Sequence, residues 1–356
     1  MPELRKDPVV GRWVIIATER SQRPTDLVVK SKHPGRTHCP FCEGSEAYTP
    51  PEIMAFSSGE RQPNGRGWQV RVIPNKFPAL QIEGGFERVG LGIYDMMNGV
   101  GAHEVIIEAP THVVDWLALP REHRIKIWQG IRARIEDLYR DQRFRYVLAF
   151  KNYGSAAGAS LSHGHCQLIA TPIMPINVKN KLLGAREHYL RKERCIFCDI
   201  IRQERESGLR VVAENEGFIV VTPFASRFPF EMSIYPRRHQ HSFLHITDDE
   251  LDLLVRIMEN VLGRLSQALG DPAYNLVLQT SPNLIPRPGR ADQWGSIRED
   301  YHWHIEILPQ LMQVAGFERG TGFYINPTSP EEAARHLKEV SIELLNKPPV
   351  PQEVPA

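Results

Sequence analysis

The sequence predicts an α+β protein with mostly antiparallel sheets, packed helices and one structural unit used twice. Three observations predict it. Both halves repeat one order: a Cys-x-x-Cys pair, strands, a histidine, a helix, a strand and a His-x-His strand. Short runs such as "EVIIEA" and "MSIYP" alternate with period two between short turns. Around residues 248–269, Leu251, Leu254, Ile257, Val261 and Leu265 recur at spacings of three and four, the mark of an amphipathic helix.

The first half opens on Cys39 and Cys42 in "HCPFCEG" and passes through the strand-like "HEVIIEAPTH", which ends at His112. A helix is expected around residues 121–141, then the strand "RYVLAFKNYGS" and the stretch "ASLSHGHCQLIA" with His163 and His165. The second half opens on Cys195 and Cys198 in "RCIFCDI" and runs through "FIVVTPFASRFPFEMSIYPRRHQH", with His239 and His241. The helix at 248–269 follows, then "YNLVLQT" and "YHWHIEILPQ" with His302 and His304. The polar segment near residues 176–194 reads as the linker between the halves. The Pro-rich end, "NKPPVPQEVPA", reads as a flexible tail.

At 356 residues the chain exceeds one ordinary core and suits two domains. Hydrophobic residues make up 42% and charged residues 24%, as in a soluble globular protein. A formal net charge of +1 offers no global field to attract nucleic acid or an anionic membrane, so neither is an expected partner. No apolar run matches a membrane span, and "MPELRKDPVVGRW" lacks the apolar core of a signal peptide. The expected location is the cytoplasm. In that reducing compartment, paired cysteines favour metal or redox roles over disulfides.

Two Cys-x-x-Cys pairs, each with well-placed histidines, point to two structural zinc sites. Cys39 and Cys42 have His112 and His163 to complete one tetrahedral set; Cys195 and Cys198 have His239 and His302. The second site also admits iron. His38 competes weakly at the first site, and His241 and His304 are alternatives at the second. His33, His103, His123, His188, His245 and His336 lie outside the pattern and read as ordinary surface or core histidines.

With His163 committed to zinc, His165 remains on the same strand face with no metal to bind. The glycine-rich "NYGSAAGAS" before it suits an anion. A neutral imidazole beside a phosphate can attack phosphorus and form a covalent phosphoramidate. Gln167, two residues on, is placed to donate its amide to phosphoryl oxygens. The alternatives are a second metal ligand or a buried, hydrogen-bonded histidine. Cys166 alternates to the other face and reads as a packing residue.

The pattern resembles the histidine triad superfamily and, within it, the galactose-1-phosphate uridylyltransferase family, on His163-Gly-His165-Cys-Gln167 and on "CPFC", "RVIPNKFPAL", "NYGSAAGAS" and "VAGFERGTGFYINP", which occur in the family's order. The resemblance implies histidine-triad-like domains at residues 1–175 and 191–345, with a flexible tail at 346–356. It implies His165 as nucleophile and ping-pong transfer through a nucleotidyl-histidine, with Gln167 in catalysis. By the same resemblance, Arg20 and Arg23 contact phosphates across a homodimer interface, Asn75, Asn152 and Ser160 are further phosphate contacts, and Phe317 and Glu318 hold the hexose.

Two departures stand out. Gly164 and Cys166 replace the variable residues of the familiar His-Pro-His-Gly-Gln, and Cys195–Cys198 forms a second knuckle where bacterial uridylyltransferases use a carboxylate and histidines. That variant resembles the ADP-glucose phosphorylase branch. The expected partners are a nucleotide sugar and a sugar 1-phosphate. The first expectation is UMP transfer between UDP-glucose and galactose 1-phosphate; the alternative is adenylyl transfer from ADP-glucose to phosphate through the same histidine. A zinc-knuckle binding module is disfavoured by the near-zero charge, and a hydrolase by Gln167 in place of a third histidine.

Overall fold

The computed structural model describes residues 2–19, 38–286 and 294–341. Arg20, Arg23, His33 and the tail at 346–356 lie outside the described residues. The architecture is α+β, as the sequence predicts.

The chain begins with β1 (Glu3–Lys6) and β2 (Trp13–Ile16), an antiparallel pair. The first half then supplies β3 (Met54–Ser57), β4 (Trp68–Pro74), the small hairpin β5 (Val89–Leu91) and β6 (Tyr94–Met96), and β7 (Ala102–Ile107). Helix α1 (Arg121–Arg140) leads into β8 (Tyr146–Tyr153) and β9 (His165–Thr171). Next come α2 (Ile176–Lys192) and α3 (Ile196–Ser207). The second half supplies β10 (Val211–Glu214), β11 (Phe218–Val221), β12 (Met232–Pro236), α4 (Asp248–Leu269) and β13 (Tyr274–Gln279). It closes with α5 (Ile297–Asp300), β14 (His304–Pro309), α6 (Gly316–Thr321), β15 (Tyr324–Asn326) and α7 (Pro330–Glu339).

Ten strands form one sheet in the order β10-β11-β12-β14-β13-β8-β9-β7-β4-β3, with every neighbouring pair antiparallel. Five strands come from residues 54–171 and five from residues 211–309, and they join where β8 pairs with β13. A smaller sheet holds β1, β2 and β15, with β15 parallel to β2.

One face of the large sheet carries the main core. Ile127, Ile131 and Ile135 of α1 and Leu251, Leu254, Met258, Val261 and Leu265 of α4 pack there against strand residues such as Ile106, Leu168, Leu278 and Ile305. Helix α4 starts cleanly because the Thr247 side chain accepts from Glu250 N–H while Glu250 reaches back to Thr247 N–H, and Gly270 ends it in the left-handed conformation. On the opposite face, α2 and α3 cover the second-half strands through Val178, Leu182, Ala185, Ile196 and Phe197. Residues 176–194 are therefore not a linker: α2 spans most of them and buries three side chains. Its few apolar residues are spread among charged ones, so the sequence shows little periodicity there. Over the first-half strands this second face holds, among the described residues, a small cluster of Trp68, Ile73, Val105 and Ile107. The candidate site lies on this side.

Candidate active site and metal centres

Strand β9 begins at His165, one residue after Gly164 and two after His163. Cys166, Leu168 and Ala170 enter the helix-covered core, so His165 and Gln167 point to the opposite face. Cys166 is 6% exposed and its thiol donates to Glu108 Oε1 at 3.0 Å. Glycine gives room at 164: a Cβ there would sit 2.8 Å from Glu108 Oε2 and 3.1 Å from the Val113 carbonyl oxygen, so both would have to give way. Glu108 is held in place by Lys151, whose Nζ lies 2.7 and 2.8 Å from its two carboxylate oxygens.

The His165 imidazole has one committed nitrogen. Its Nδ1–H donates to the His163 carbonyl at 2.8 Å, which leaves the lone pair on Nε2. Burial lowers its pKa below the ordinary value of 6.5, with the Lys151 cation acting in the same direction. The ring is thus neutral near pH 7. Phe41, from the turn between Cys39 and Cys42, packs edge-on at 5.4 Å from His165 and 6.0 Å from His163.

The structure brings Cys39, Cys42, His112 and His163 together, with all four ligand atoms within 4.8 Å of one another. Nδ1 of His163 lies 3.5 Å from Cys39 Sγ and 3.6 Å from Cys42 Sγ; Nδ1 of His112 lies 3.7 Å from Cys42 Sγ. Four N and S ligands at ordinary zinc bond lengths in a tetrahedron stand about 3.5 Å apart, so the donors fit the ion. The far nitrogens are held as well: His163 Nε2 meets the Ala109 carbonyl at 2.8 Å and His112 Nε2 meets Ser162 Oγ at 3.0 Å. Such partners aim the Nδ1 lone pairs at a metal. Burial, then the neighbouring Cys39, pushes the Cys42 thiol up to about 11, a pairing of thiols that a divalent cation relieves.

Cys195, Cys198, His239 and His302 form a second set of the same composition. Cys198 Sγ lies 3.3 Å from His239 Nδ1 and 3.6 Å from His302 Nδ1. The carbonyls of Arg298 and Pro236 hold the two Nε2 atoms, each at 2.8 Å. Cys198 is drawn down to about 3 by its hydrogen bond with Cys195, with His239 and His302 adding to the effect against the cost of burial. The alternatives do not join this set: His241 packs on His245, 4.6 Å away, and His304 donates Nδ1–H to the His302 carbonyl at 3.0 Å. His38 instead packs edge-on against Tyr48 at 4.6 Å.

His304 is the second-half counterpart of His165, but its surroundings differ. Lys181 Nζ donates to its Nε2 at 3.3 Å, so the lone pair is taken. Glu306 stands where Gln167 stands in the first half and is paired with Lys181 and Arg227. A carboxylate there repels a phosphate where an amide donates. A cavity of about 590 Å³ opens beside these residues, yet their charges are already satisfied by one another. Of the two imidazoles, His165 is the one whose Nε2 lone pair has no donor among the described residues.

The other predicted contacts are placed as follows. Asn75 lies just past β4 and its Nδ2 is 3.1 Å from His103 Nε2. Asn152, on β8, accepts from Asn275 Nδ2 at 2.8 Å. The glycine-rich segment forms a tight turn between Gly154 and Gly158, both at positive φ; the N–H groups of Ala157, Gly158 and Ala159 bond within it, so they are not free for an anion. Ser160 is exposed at its end. Phe317 and Glu318 are not in the sheet that carries His165: they lie on α6, beside β15 of the small sheet. Phe317 is 46% exposed, while Glu318 is buried and accepts from the Ala315 N–H of its own helix.

Two features escaped the sequence. His103, set aside as ordinary, contacts both Asn75 and Gln167; the signal was its place at the head of "HEVIIE", on the alternate positions that face the site. Lys181 sits in the segment read as a linker, so its contact with His304 was invisible.

No helix among the described residues is long and apolar enough to cross a membrane. Residues 1–175 match the galactose-1-phosphate uridyl transferase N-terminal domain, and residues 101–347 match a domain of unknown function, DUF4921. The chain is 36% identical over 346 residues to the ADP-glucose phosphorylase of Arabidopsis thaliana, covering 96% of this chain and 93% of that one. It is 27% identical over 358 residues to the galactose-1-phosphate uridylyltransferase of Thermotoga maritima, covering 97% and 100%. The crystal structure of the Arabidopsis thaliana ADP-glucose phosphorylase with bound ADP-glucose superposes with a TM-score of 0.80 at 34% identity, covering 96% of this chain and all of that one. A uridylyltransferase structure gives 0.71 at 28% identity, covering 95% and 97%. The protein therefore belongs to the galactose-1-phosphate uridylyltransferase family of nucleotidyltransferases and phosphorylases.

Proposed function

We propose that the protein is an ADP-glucose phosphorylase, transferring the adenylyl group of ADP-glucose to phosphate through His165. The observation that carries the chemistry is the tautomer of His165, neutral and with Nδ1–H locked on the His163 carbonyl. The similarity to the Arabidopsis thaliana enzyme, 36% against 27% for the Thermotoga maritima uridylyltransferase, favours adenylyl over uridylyl. UMP transfer, which the sequence alone placed first, becomes the second reading.

In the first half-reaction, His165 Nε2 bonds to the α-phosphorus and the bond from that phosphorus to the bridging oxygen breaks. The electron pair leaves on glucose 1-phosphate. In the second, an oxygen of inorganic phosphate attacks the same phosphorus, the N–P bond breaks and ADP departs. His165 enters and leaves as a neutral imidazole, so no proton has to be moved. Gln167 donates N–H to the phosphoryl oxygens, where charge grows in the transition state. An amide has no titrating proton, so it does not activate water in place of phosphate. Asn75, Asn152 and Ser160 are proposed as further phosphate contacts. Arg20, Arg23, Phe317 and Glu318 are proposed to reach the site from a second copy of the chain, which agrees with the place of α6 outside the sheet of His165.

Both Cys₂His₂ sets are proposed to hold zinc as a structural cross-link, with all four positions taken by protein. At the first set the ion would fix His163, whose carbonyl in turn fixes His165. The two histidine-triad-like units at residues 1–175 and 191–345, and a cytoplasmic homodimer, complete the proposal.

Intact-protein mass spectrometry after mixing with each nucleotide sugar tests it. An adenylyl adduct from ADP-glucose that phosphate removes is the expected result. A uridylyl adduct from UDP-glucose alone restores the second reading. Absence of both overturns the family chemistry at His165.

A further inference from the structure

His103 joins two of the residues on which that reading rests. It lies on β7, opposite Ile169 of β9, with the Val105–Gln167 pair two steps along the ladder. Positions 103 and 105 therefore share the face of Gln167. The loop after β4 is fastened to it: Asn75 N–H donates to the His103 carbonyl at 2.8 Å, and Ala79 N–H donates to His103 Nδ1 at 3.1 Å.

That second bond decides the tautomer. A backbone N–H can only donate, so His103 Nδ1 carries the lone pair and the proton resides on Nε2. Two side-chain atoms approach Nε2: Gln167 Oε1 at 2.9 Å and Asn75 Nδ2 at 3.1 Å. The Asn75 Nδ2 atom carries only hydrogens, because its Oδ1 accepts from Phe77 N–H at 2.9 Å. The Nε2 proton therefore goes to Gln167 Oε1. With its carbonyl oxygen held, the Gln167 amide cannot flip, and its NH₂ group points away from His103.

We infer that His103 is a positioning residue for phosphoryl transfer: through one hydrogen bond it fixes the Gln167 side chain so that N–H donors, and not the carbonyl oxygen, face the phosphate. The inference rests on the proposed role of Gln167 as a donor to phosphoryl oxygens. A flipped amide would present a partial negative charge to an anion. The backbone bond from Ala79 extends this control to the "NKFPAL" loop, so loop and amide are set together.

A double-mutant cycle on the single-turnover rate of nucleotidyl-enzyme formation tests this, with zinc content and melting temperature followed in each variant. His103→Ala is expected to slow labelling at least ~10-fold with Gln167 present, and to add nothing in a Gln167→Ala background. His103→Gln, which places an amide N–H near the position of Nε2, is expected to recover most of the rate. Equal slowing by His103→Ala in both backgrounds would mean a general structural role and overturns the inference; so does a wild-type rate in His103→Ala. Should His103→Ala not fold, comparison of His103→Gln with His103→Asn, whose amide ends short of Gln167, carries the test: equal rates overturn it. If wild-type protein takes no label from either nucleotide sugar, the reading of His165 fails and this inference falls with it; a labelled wild type with an additive cycle sinks the inference alone.

Discussion

A buried imidazole in an apolar strand keeps its lone pair only where protonation is disfavoured, and His165 meets that condition. Its pKa lies below 6.5 because burial penalises the cation. The reactive form therefore persists as the pH drops past 6.5 and is lost only as the pH falls through the folded value. Single-turnover labelling is expected to be flat at neutral pH, with its acid limb below 6.5; a limb above 6.5 would contradict the assignment. The same burial means that the unfolded chain binds this proton first, so its stabilising contribution is present above 6.5 and lost on acidification. His165→Gly should cut labelling by at least about 1000-fold while metal analysis still finds both ions. His163→Ala should instead lower metal content and melting temperature together; labelling lost with full metal content would show the two roles reversed. The two Cys₂His₂ clusters were legible because a Cys-x-x-Cys turn is a local chelate and its histidines recur in order. His103 and Lys181 were not, since their contacts with Gln167 and His304 span 64 and 123 residues and exist only after the strands pair.

At the scale of elements, the helices with a regular apolar stripe were readable. Helix α1 was expected around 121–141 and runs Arg121–Arg140; α4 was expected around 248–269 and runs Asp248–Leu269. Helix α2 was not, because only Val178, Leu182 and Ala185 are buried in it and Gly184 interrupts the pattern. The structure explains that glycine. A Cβ there would overlap the Val9 carbonyl oxygen, so the turn between β1 and β2 lies against the bare helix backbone. Gly184→Ala gains helix propensity yet should destabilise by about 1–3 kcal/mol through this overlap, read as a lower urea midpoint at unchanged slope. Thr247→Ala, which removes both the N-cap acceptor and half of the capping box, should cost about 1 kcal/mol by the same measurement.

Across the whole molecule, the α+β class and the repeated order were readable, because period-two alternation and recurring motifs survive in the sequence. That the strands of both halves merge into one ten-stranded sheet was not, since strand order depends on pairings between distant segments. Charge is buried beneath this sheet in matched pairs: Arg134 with Glu104 at 2.7 and 2.8 Å, and Lys151 with Glu108. Lys151→Met should cost roughly 3–5 kcal/mol, since it leaves Glu108 buried without its partner; a loss under 1 kcal/mol in denaturant titration would contradict a stabilising role for this pair.

The meeting of β8 and β13 has a consequence for any attempt to divide this protein. A cut in the connection after β9 would leave two fragments, each ending its sheet on a raw, sticky border of open amides and carbonyls. Made separately, such fragments should clump; made in the same cell, they should zip back together and regain turnover, which makes this border a natural place to install a chemically controlled on-switch.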